Sequence, residues 1–375
     1  MSNLYIGLMS GTSADGVDVA LVDFPESGQP GFRIVDALDI PYSEAFREQL
    51  LQLALNDHCS KHQLATISGE LAELFAQAIH KLLLQCDISP QQIRAIGSHG
   101  HTIDHAPNNP LAYTLQITDH ARLTEKTGIS VVCDFRSRDV AAGGQGAPLV
   151  PAFHRWLFAQ HPESHHGYEQ AFINIGGISN LTLLKKGLGF DCGPGNCLID
   201  YWHHKHTSEA FDQQGQTARK GTLLPELLTS MLGDDYFTQP APKSTGREYF
   251  NQAWLEHHLK AAAQHELVDF DWHDVAYTLT ALTAKVIADQ LNQHHCREVF
   301  ICGGGSHNQL LTELLQQYAP ETELKTTSDL GIEPDWIEAA AFAWLAHQTL
   351  NQRPGNLPSA TGARGERILG AIYPA

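Results

Sequence analysis

The segment Gly11-Thr12-Ser13-Ala14-Asp15-Gly16-Val17-Asp18 concentrates two glycines, two hydroxyls and two carboxylates between the apolar runs Leu4–Met9 and Val19–Val22. A tight turn of this composition aims backbone N–H groups and hydroxyls at one point and can cradle a phosphate, although a plain polar hairpin turn has the same make-up. It is neither a P-loop nor a dinucleotide fingerprint: no lysine follows a glycine, and a strand rather than a helix comes next. Two further glycine turns occupy comparable places. Gly176-Gly177-Ile178-Ser179 lies between the apolar runs Ala171–Ile175 and Asn180–Leu184, and Gly303-Gly304-Gly305-Ser306 follows Val299–Cys302. Glycine at such points lets backbone come close to a ligand.

Other polar groups are open to blander readings. The histidines of His99-Gly100-His101-Thr102-Ile103-Asp104-His105 follow a buried-looking strand, but no second ligand set at metal spacing accompanies them. The cluster His203-His204-Lys205-His206 ends an amphipathic helix and reads as solvated. The seven cysteines are scattered and odd in number, which points to reduced thiols, with Cys192 and Cys197 as packing residues.

The elements that must hold these turns follow from periodicity. The first third reads as strands at Leu4–Met9, Val17–Phe24 and Phe32–Asp39, helices at Ser43–Leu55 and Ala65–Gln85, and strands at Ile93–Ser98, Tyr113–Ile117 and Ile129–Cys133, with a helix capped at Thr118 or Asp119 between the last two. Asp134–Pro151 has no clear period and reads as a domain crossover. From Gln170 the opening pattern returns: strands Ala171–Ile175, Asn180–Leu184 and Gly187–Phe190, the last ending at Asp191. Helices at Asn196–His204, Leu223–Leu232, Gln252–Gln264 and Asp274–Asn292 follow, interrupted by the loop Pro240–Phe250. The third glycine turn leads into a helix near Asn308, Pro334–Leu350 is an Ala-rich helix, and an apolar piece of Gly355–Tyr373 is expected to pack back on the first domain.

A chain of 375 residues suits two domains, here placed at 1–135 with 350–375 and at 136–349, the second with a helical insertion at about 200–295. The net charge of −18 and the lack of a basic block argue against nucleic acid. No apolar run approaches the roughly 18 residues of a membrane span, and no export signal opens the chain, so a cytoplasmic protein is expected.

Three glycine turns in two repeated α/β halves are what a cleft holding a nucleoside triphosphate needs, and the arrangement resembles the acetate and sugar kinase/Hsp70/actin superfamily. Met9–Val19, Asn174–Leu181, Asp191-Cys192-Gly193-Pro194-Gly195-Asn196, Lys243-Ser244-Thr245-Gly246-Arg247-Glu248, Cys302–Ser306 and Gly355–Ser359 together resemble the anhydro-N-acetylmuramic acid kinase family over essentially the whole chain. The resemblance implies two ribonuclease H-like, actin-like ATPase domains, each a mixed sheet flanked by helices, with a cleft between them. It implies a kinase that opens 1,6-anhydro-N-acetylmuramate with water and phosphorylates O6 with ATP and Mg²⁺, giving N-acetylmuramate 6-phosphate for peptidoglycan recycling, in a homodimer.

That reaction needs a base for the attacking water. Asp191, expected at a strand end before Gly-Pro-Gly, suits it, with a turn or helix-capping carboxylate as the bland alternative. The resemblance places Gly11, Thr12, Ser13, Ala14, Asp15, Gly16, Val17, Asp18, Gly176, Gly177, Asn180, Gly303, Gly304 and Gly305 on ATP, with Asp15 or Asp18 meeting Mg²⁺ through water. Arg136 and Arg138 with Asp139 beside them, Glu338 and His99 are expected on the amino sugar, and Lys243 with Arg247 on a closing loop. His101 stands where the family usually has glutamine. Rival readings are a plain hexosamine kinase, in which Asp191 deprotonates a sugar hydroxyl directly, and an actin- or Hsp70-like nucleotide switch.

Overall fold

The computed structural model describes residues 3–24, 32–56, 58–160, 167–263 and 270–375. The chain divides into two units, Met1–Pro162 with Trp336–Ala375, and Glu163–Asp335.

The first unit begins with a meander of β1 (Leu4–Ser10), β2 (Gly16–Asp23) and β3 (Arg33–Pro41). Next, β4 (Ile93–Ala106) lies parallel to β1, β5 (Tyr113–Ile117) pairs antiparallel with its far half, and β6 (Val131–Cys133) lies parallel to β4. Alternation decides the faces. Ile6, Leu8, Val17, Val19 and Leu21 point to one side, where the helices Glu44–Leu55 and Lys61–Gln85 cover them with Leu50, Leu71, Phe75 and Ile79. The first helix starts at Ser43 as expected and the second about one turn before the expected Ala65, at Ser60: Ser43 Oγ accepts from Phe46 N–H at 3.3 Å, and Ser60 Oγ from Gln63 N–H at 3.0 Å.

On the other side lies the Ala-rich helix Ile337–Leu350. It approaches so closely because Gly7 and Gly97 are register partners beneath it. A Cβ on Gly7 would fall 1.8 Å from the Ala339 carbonyl oxygen, and one on Gly97 2.0 Å from that of Phe342. This contact places the helix in the first unit, not in the second as the sequence reading had it. The segment Asp134–Pro151 also differs from expectation. It holds the helix Ser137–Ala141 and the start of Val150–Ala159, and it lies within the first unit.

The second unit repeats the topology. β7 (Glu169–Ile175), β8 (Ile178–Leu183) and β9 (Leu188–Pro194) form a meander, and β10 (Cys296–Cys302) and β11 (Glu323–Thr326) follow in parallel, giving the order β11-β10-β7-β8-β9. The first sheet has the matching order β6-β4-β1-β2-β3, closed at its edge by β12 (Ala371–Tyr373) on β6. The second core gathers Leu181, Phe190, Val299 and Ile301 from the sheet with Leu279, Leu282, Val286 and Leu311 from the helices Trp272–Gln293 and Gln309–Tyr318. Two α/β units of one topology are thus present, as the ribonuclease H-like reading requires. Among the described residues no helix is long and apolar enough to cross a membrane.

Candidate active site

In an open α/β sheet, ligands bind beyond the carboxyl ends of the parallel strands. In the first unit those ends carry the Gly11–Asp15 turn after β1, His99 and His101 in β4, and Arg136 three residues after β6. The turn closes by Ala14 N–H donating to the Gly11 carbonyl at 3.0 Å. Ala14, at φ 54°, and Val17 bury their side chains in the core and anchor it, while Thr12 is exposed and Ser13 half-buried. The Asp15 carboxylate turns outward to Arg47 at 3.2 Å and is 70% exposed. Asp18 sits within β2, half-buried, opposite Met9 and Asp39, where its charge adds to burial in raising the Tyr42 hydroxyl pKa.

Beneath the turn, the Tyr42 hydroxyl donates to Ser10 Oγ at 2.9 Å, and Ser10 Oγ lies 3.0 Å from His101 Nδ1. Because Tyr42 supplies its own proton, the Ser10 hydroxyl proton goes to Nδ1, and His101 is neutral, its pKa lowered by burial to about 4. His101 reaches Ser10 through an irregularity in β4: Leu8 pairs with Ser98 but Ser10 with His101, and Gly100 bulges out at φ 77°. His99 has both ring nitrogens occupied. Its Nδ1 lies 3.1 Å from the Gly100 carbonyl, and its Nε2 accepts from Arg136 Nε at 3.0 Å. Burial, then the Arg136 charge, hold it neutral. Arg136 also donates through Nη1 to the Gly146 carbonyl at 2.8 Å. Burial lowers its pKa to about 10 against the charges of Glu338 and Asp139, so it remains a cation at neutral pH. Glu338, half-buried at the start of its helix, has its carboxyl pKa raised by burial and lowered again by Arg136.

In the second unit three glycine turns meet at the same end of the sheet. The Gly176 carbonyl accepts from Asn196 N–H at 2.8 Å, and the Gly177 carbonyl from Gly195 N–H at 2.9 Å. Gly303, at φ 76°, leaves room for Asn174, whose Oδ1 would lie 2.2 Å from a Cβ there, whereas Gly304 is exposed and open. Asn180 stands in register between Asn174 on β7 and Asp191 on β9.

Asp191 is inside β9, not at its end, because the strand runs on through Pro194. A second irregularity frames it: Ser179 pairs with Gly193 but Asn180 with Asp191. Its carboxylate Oδ2 accepts from Ser244 Oγ at 3.0 Å and from Thr245 N–H at 2.9 Å. Burial outweighs these donors and raises its pKa to about 6. The group is a half-buried carboxylate poised near neutrality, a property suited to a general base.

Among solved structures, the activator of the 2-hydroxyisocaproyl-CoA dehydratase from Clostridium difficile with bound ADPNP matches distantly, at a TM-score of 0.45 and 12% identity over 93% of this chain and 96% of that one. The family model described as anhydro-N-acetylmuramic acid kinase matches residues 3–375. Relatives bearing that name are 47% identical in Nitrosomonas europaea and 46% identical in Pseudomonas fluorescens, each over 376 residues and 99% of both chains. The chain belongs to the anhydro-N-acetylmuramic acid kinase family. It is therefore a phosphotransferase acting on a sugar hydroxyl with ATP.

Within this kinase, two expected sugar contacts have other duties. Asp139 is fully buried, and its carboxylate is consumed by Gly146 N–H at 2.9 Å, Asn356 Nδ2 at 2.8 Å and Thr361 Oγ1 at 2.9 Å. It ties loops together from a fully buried position. His99 has both nitrogens engaged, one of them by Arg136. Lys243 likewise does not reach outward: its buried ammonium donates to the Tyr236 carbonyl at 2.9 Å and lies 4.4 Å from the Tyr236 ring centroid. Arg247, by contrast, is exposed and lies across Gly177, its Nε 2.9 Å from where a Cβ would stand. Sequence reasoning missed Tyr42 and Tyr236 altogether, and took Ser10 and Asn174 only as members of their motifs, with no role of their own. Only the polar run Lys243–Glu248, conspicuous between apolar helices, signalled the loop that holds Asp191.

Proposed function

We propose that this kinase phosphorylates O6 of 1,6-anhydro-N-acetylmuramate while water opens the anhydro bridge, giving N-acetylmuramate 6-phosphate, a step in peptidoglycan recycling. Asp191 takes a proton from water, whose oxygen forms the new bond to C1. The C1–O6 electron pair passes to O6, which attacks the γ-phosphorus as ADP leaves. The observation that carries this reading is the Asp191 carboxyl, fixed by two donors on Oδ2 and titrating at about 6. At neutral pH such a group is mostly ionised yet basic enough to accept a proton.

The glycine turns take the phosphates through backbone N–H groups, with Thr12 and Ser13 hydroxyls beside them and the exposed Gly304 admitting the nucleotide. Arg136, a cation held in place by His99 and Gly146, is the partner for the lactyl carboxylate, and Glu338 beside it accepts from a sugar hydroxyl. Exposed Arg138 is not needed for this. Among the described residues no three His, Cys, Asp or Glu side chains converge as a metal cage. Mg²⁺ keeps most of its waters and is held by phosphate oxygens with one carboxylate, so it needs no such cage. Asp15 or Asp18 would supply that carboxylate through water, and the Asp15 carboxylate also faces Arg47 at 3.2 Å. When bound, the ion offsets phosphate charge. A cytoplasmic homodimer belongs to the same proposal and rests on the family resemblance.

The test is Asp191→Asn assayed with ATP, Mg²⁺ and the anhydro sugar. Turnover is expected to fall by about two to four orders of magnitude, since a base step is worth roughly 10²–10⁴-fold and Asn cannot accept the proton, while ATP affinity stays within about threefold. An Asn variant that turns over normally refutes the assignment.

A further inference from the structure

The two carboxylate oxygens of Asp191 are unequal. Oδ2 carries both hydrogen bonds, from the Ser244 hydroxyl and the Thr245 N–H, and among the described residues Oδ1 has no hydrogen-bond partner. The donors are themselves fixed. Asp191 N–H donates to the Lys243 carbonyl at 2.9 Å, and the Tyr236 hydroxyl donates to the Asp191 carbonyl at 2.9 Å. Below them the Lys243 ammonium spans the Tyr236 and Phe237 carbonyls at 2.9 and 3.4 Å. Residues 243–245 therefore clasp Asp191 by backbone and side chain alike, without any ligand.

A proton arriving on Oδ2 would compete with two donors for its lone pairs, whereas Oδ1 receives one without loss. The geometry points to Ser244 as a positioning residue that, with the Thr245 N–H, reserves Oδ1 of Asp191 as the oxygen taking the proton of the attacking water. This deepens the base role proposed for Asp191 and rests on it. The proton balance is simple: one O–H bond of water breaks, one O–H bond to Oδ1 forms, and the carboxylate becomes a neutral acid. The charged and titratable groups facing Asp191 are Glu248 and Lys243, of opposite sign, with Cys192 and Tyr236 neutral. Ser244 is exposed, so its truncation opens no core cavity.

The test is the pH dependence of kcat/KM for the anhydro sugar, a property of the free enzyme, in the parent, Ser244→Ala, Ser244→Thr and Asp191→Asn. Loss of a donor to the ionised form moves the acid limb of Ser244→Ala upward by about half to one pH unit. Activity returns to within about threefold of the parent on the alkaline plateau, and Ser244→Thr keeps the parental limb. An unmoved limb in Ser244→Ala, a loss equal at every pH, or a limb shifted as far in Ser244→Thr overturns the inference. Asp191→Asn separates the two levels: if it is inactive while the Ser244→Ala limb stays put, only the positioning role fails, and if it is active the base reading fails first.

Discussion

Burial at Asp191 sets activity against stability at one residue. In the unfolded chain an aspartate titrates near pH 4, and in the folded kinase Asp191 titrates at about 6. Between these values the folded state keeps a proton that the unfolded state has lost, so Asp191 lowers stability progressively as pH rises from about 4 to 6 and then by a constant amount. Asparagine has no proton to lose. Asp191→Asn should gain about 1–2 kcal/mol relative to the parent on going from pH 4 to pH 8. Melting temperatures of both proteins at the two pH values read this directly, and an unchanged difference would contradict the burial argument. Arg136 is the counterpart in the first unit, a half-buried cation braced by neutral His99. Asp139, two residues before Ala141 on the next helix, shows the opposite use of a carboxylate, with every oxygen occupied by the loops it joins.

At the level of elements, the repeated meanders, the long helices and the three glycine turns could be read from periodicity and turn chemistry. The boundaries that mattered for the site could not. Asp191 was placed at a strand end and His99–His101 beyond one because each lies next to an irregularity that breaks the period of two on which strand reading depends. β11 and β12, at four and three residues, are too short to carry a pattern. Asp139 reads as a sugar contact from its place beside Arg136 and Arg138, and the partners that occupy it, Asn356 and Thr361, lie over 200 residues away in sequence. The Gly7–Gly97 pair under the helix Ile337–Leu350 was equally invisible, since two glycines in separate strands announce nothing until the strands pair. This contact predicts that Gly97→Ala, whose Cβ would lie 2.0 Å from the Phe342 carbonyl oxygen, destabilises the kinase by about 3 kcal/mol or more. Gly304→Ala, with nothing nearer than Asn196 Nδ2 at 3.9 Å, should stay within about 0.5 kcal/mol of the parent. Denaturation midpoints of the two variants decide, and a tolerated Gly97→Ala would mean that the helix does not seat on the glycines.

Across the whole molecule, one topology occurs twice, and each copy specialises. On the proposed reading the first unit contributes the Gly11–Asp18 turn, Arg136 and Glu338, and the second contributes Asp191 with its clasp and the Gly176–Gly177 and Gly303–Gly305 turns. A plain hexosamine kinase would need only a hydroxyl, a base and the phosphates. An anhydro sugar has no free O6 until the bridge opens, so hydrolysis and phosphorylation must be one event if Asp191 serves water. The direct measurement is turnover of the anhydro sugar with ATP and Mg²⁺ in ¹⁸O-labelled water, quenched before the free anomeric oxygen exchanges. The coupled reaction predicts one ¹⁸O at C1 and none in the 6-phosphate ester. Product whose C1 oxygen is unlabelled at early quench, or a phosphorylated sugar with the anhydro bridge intact, would contradict it.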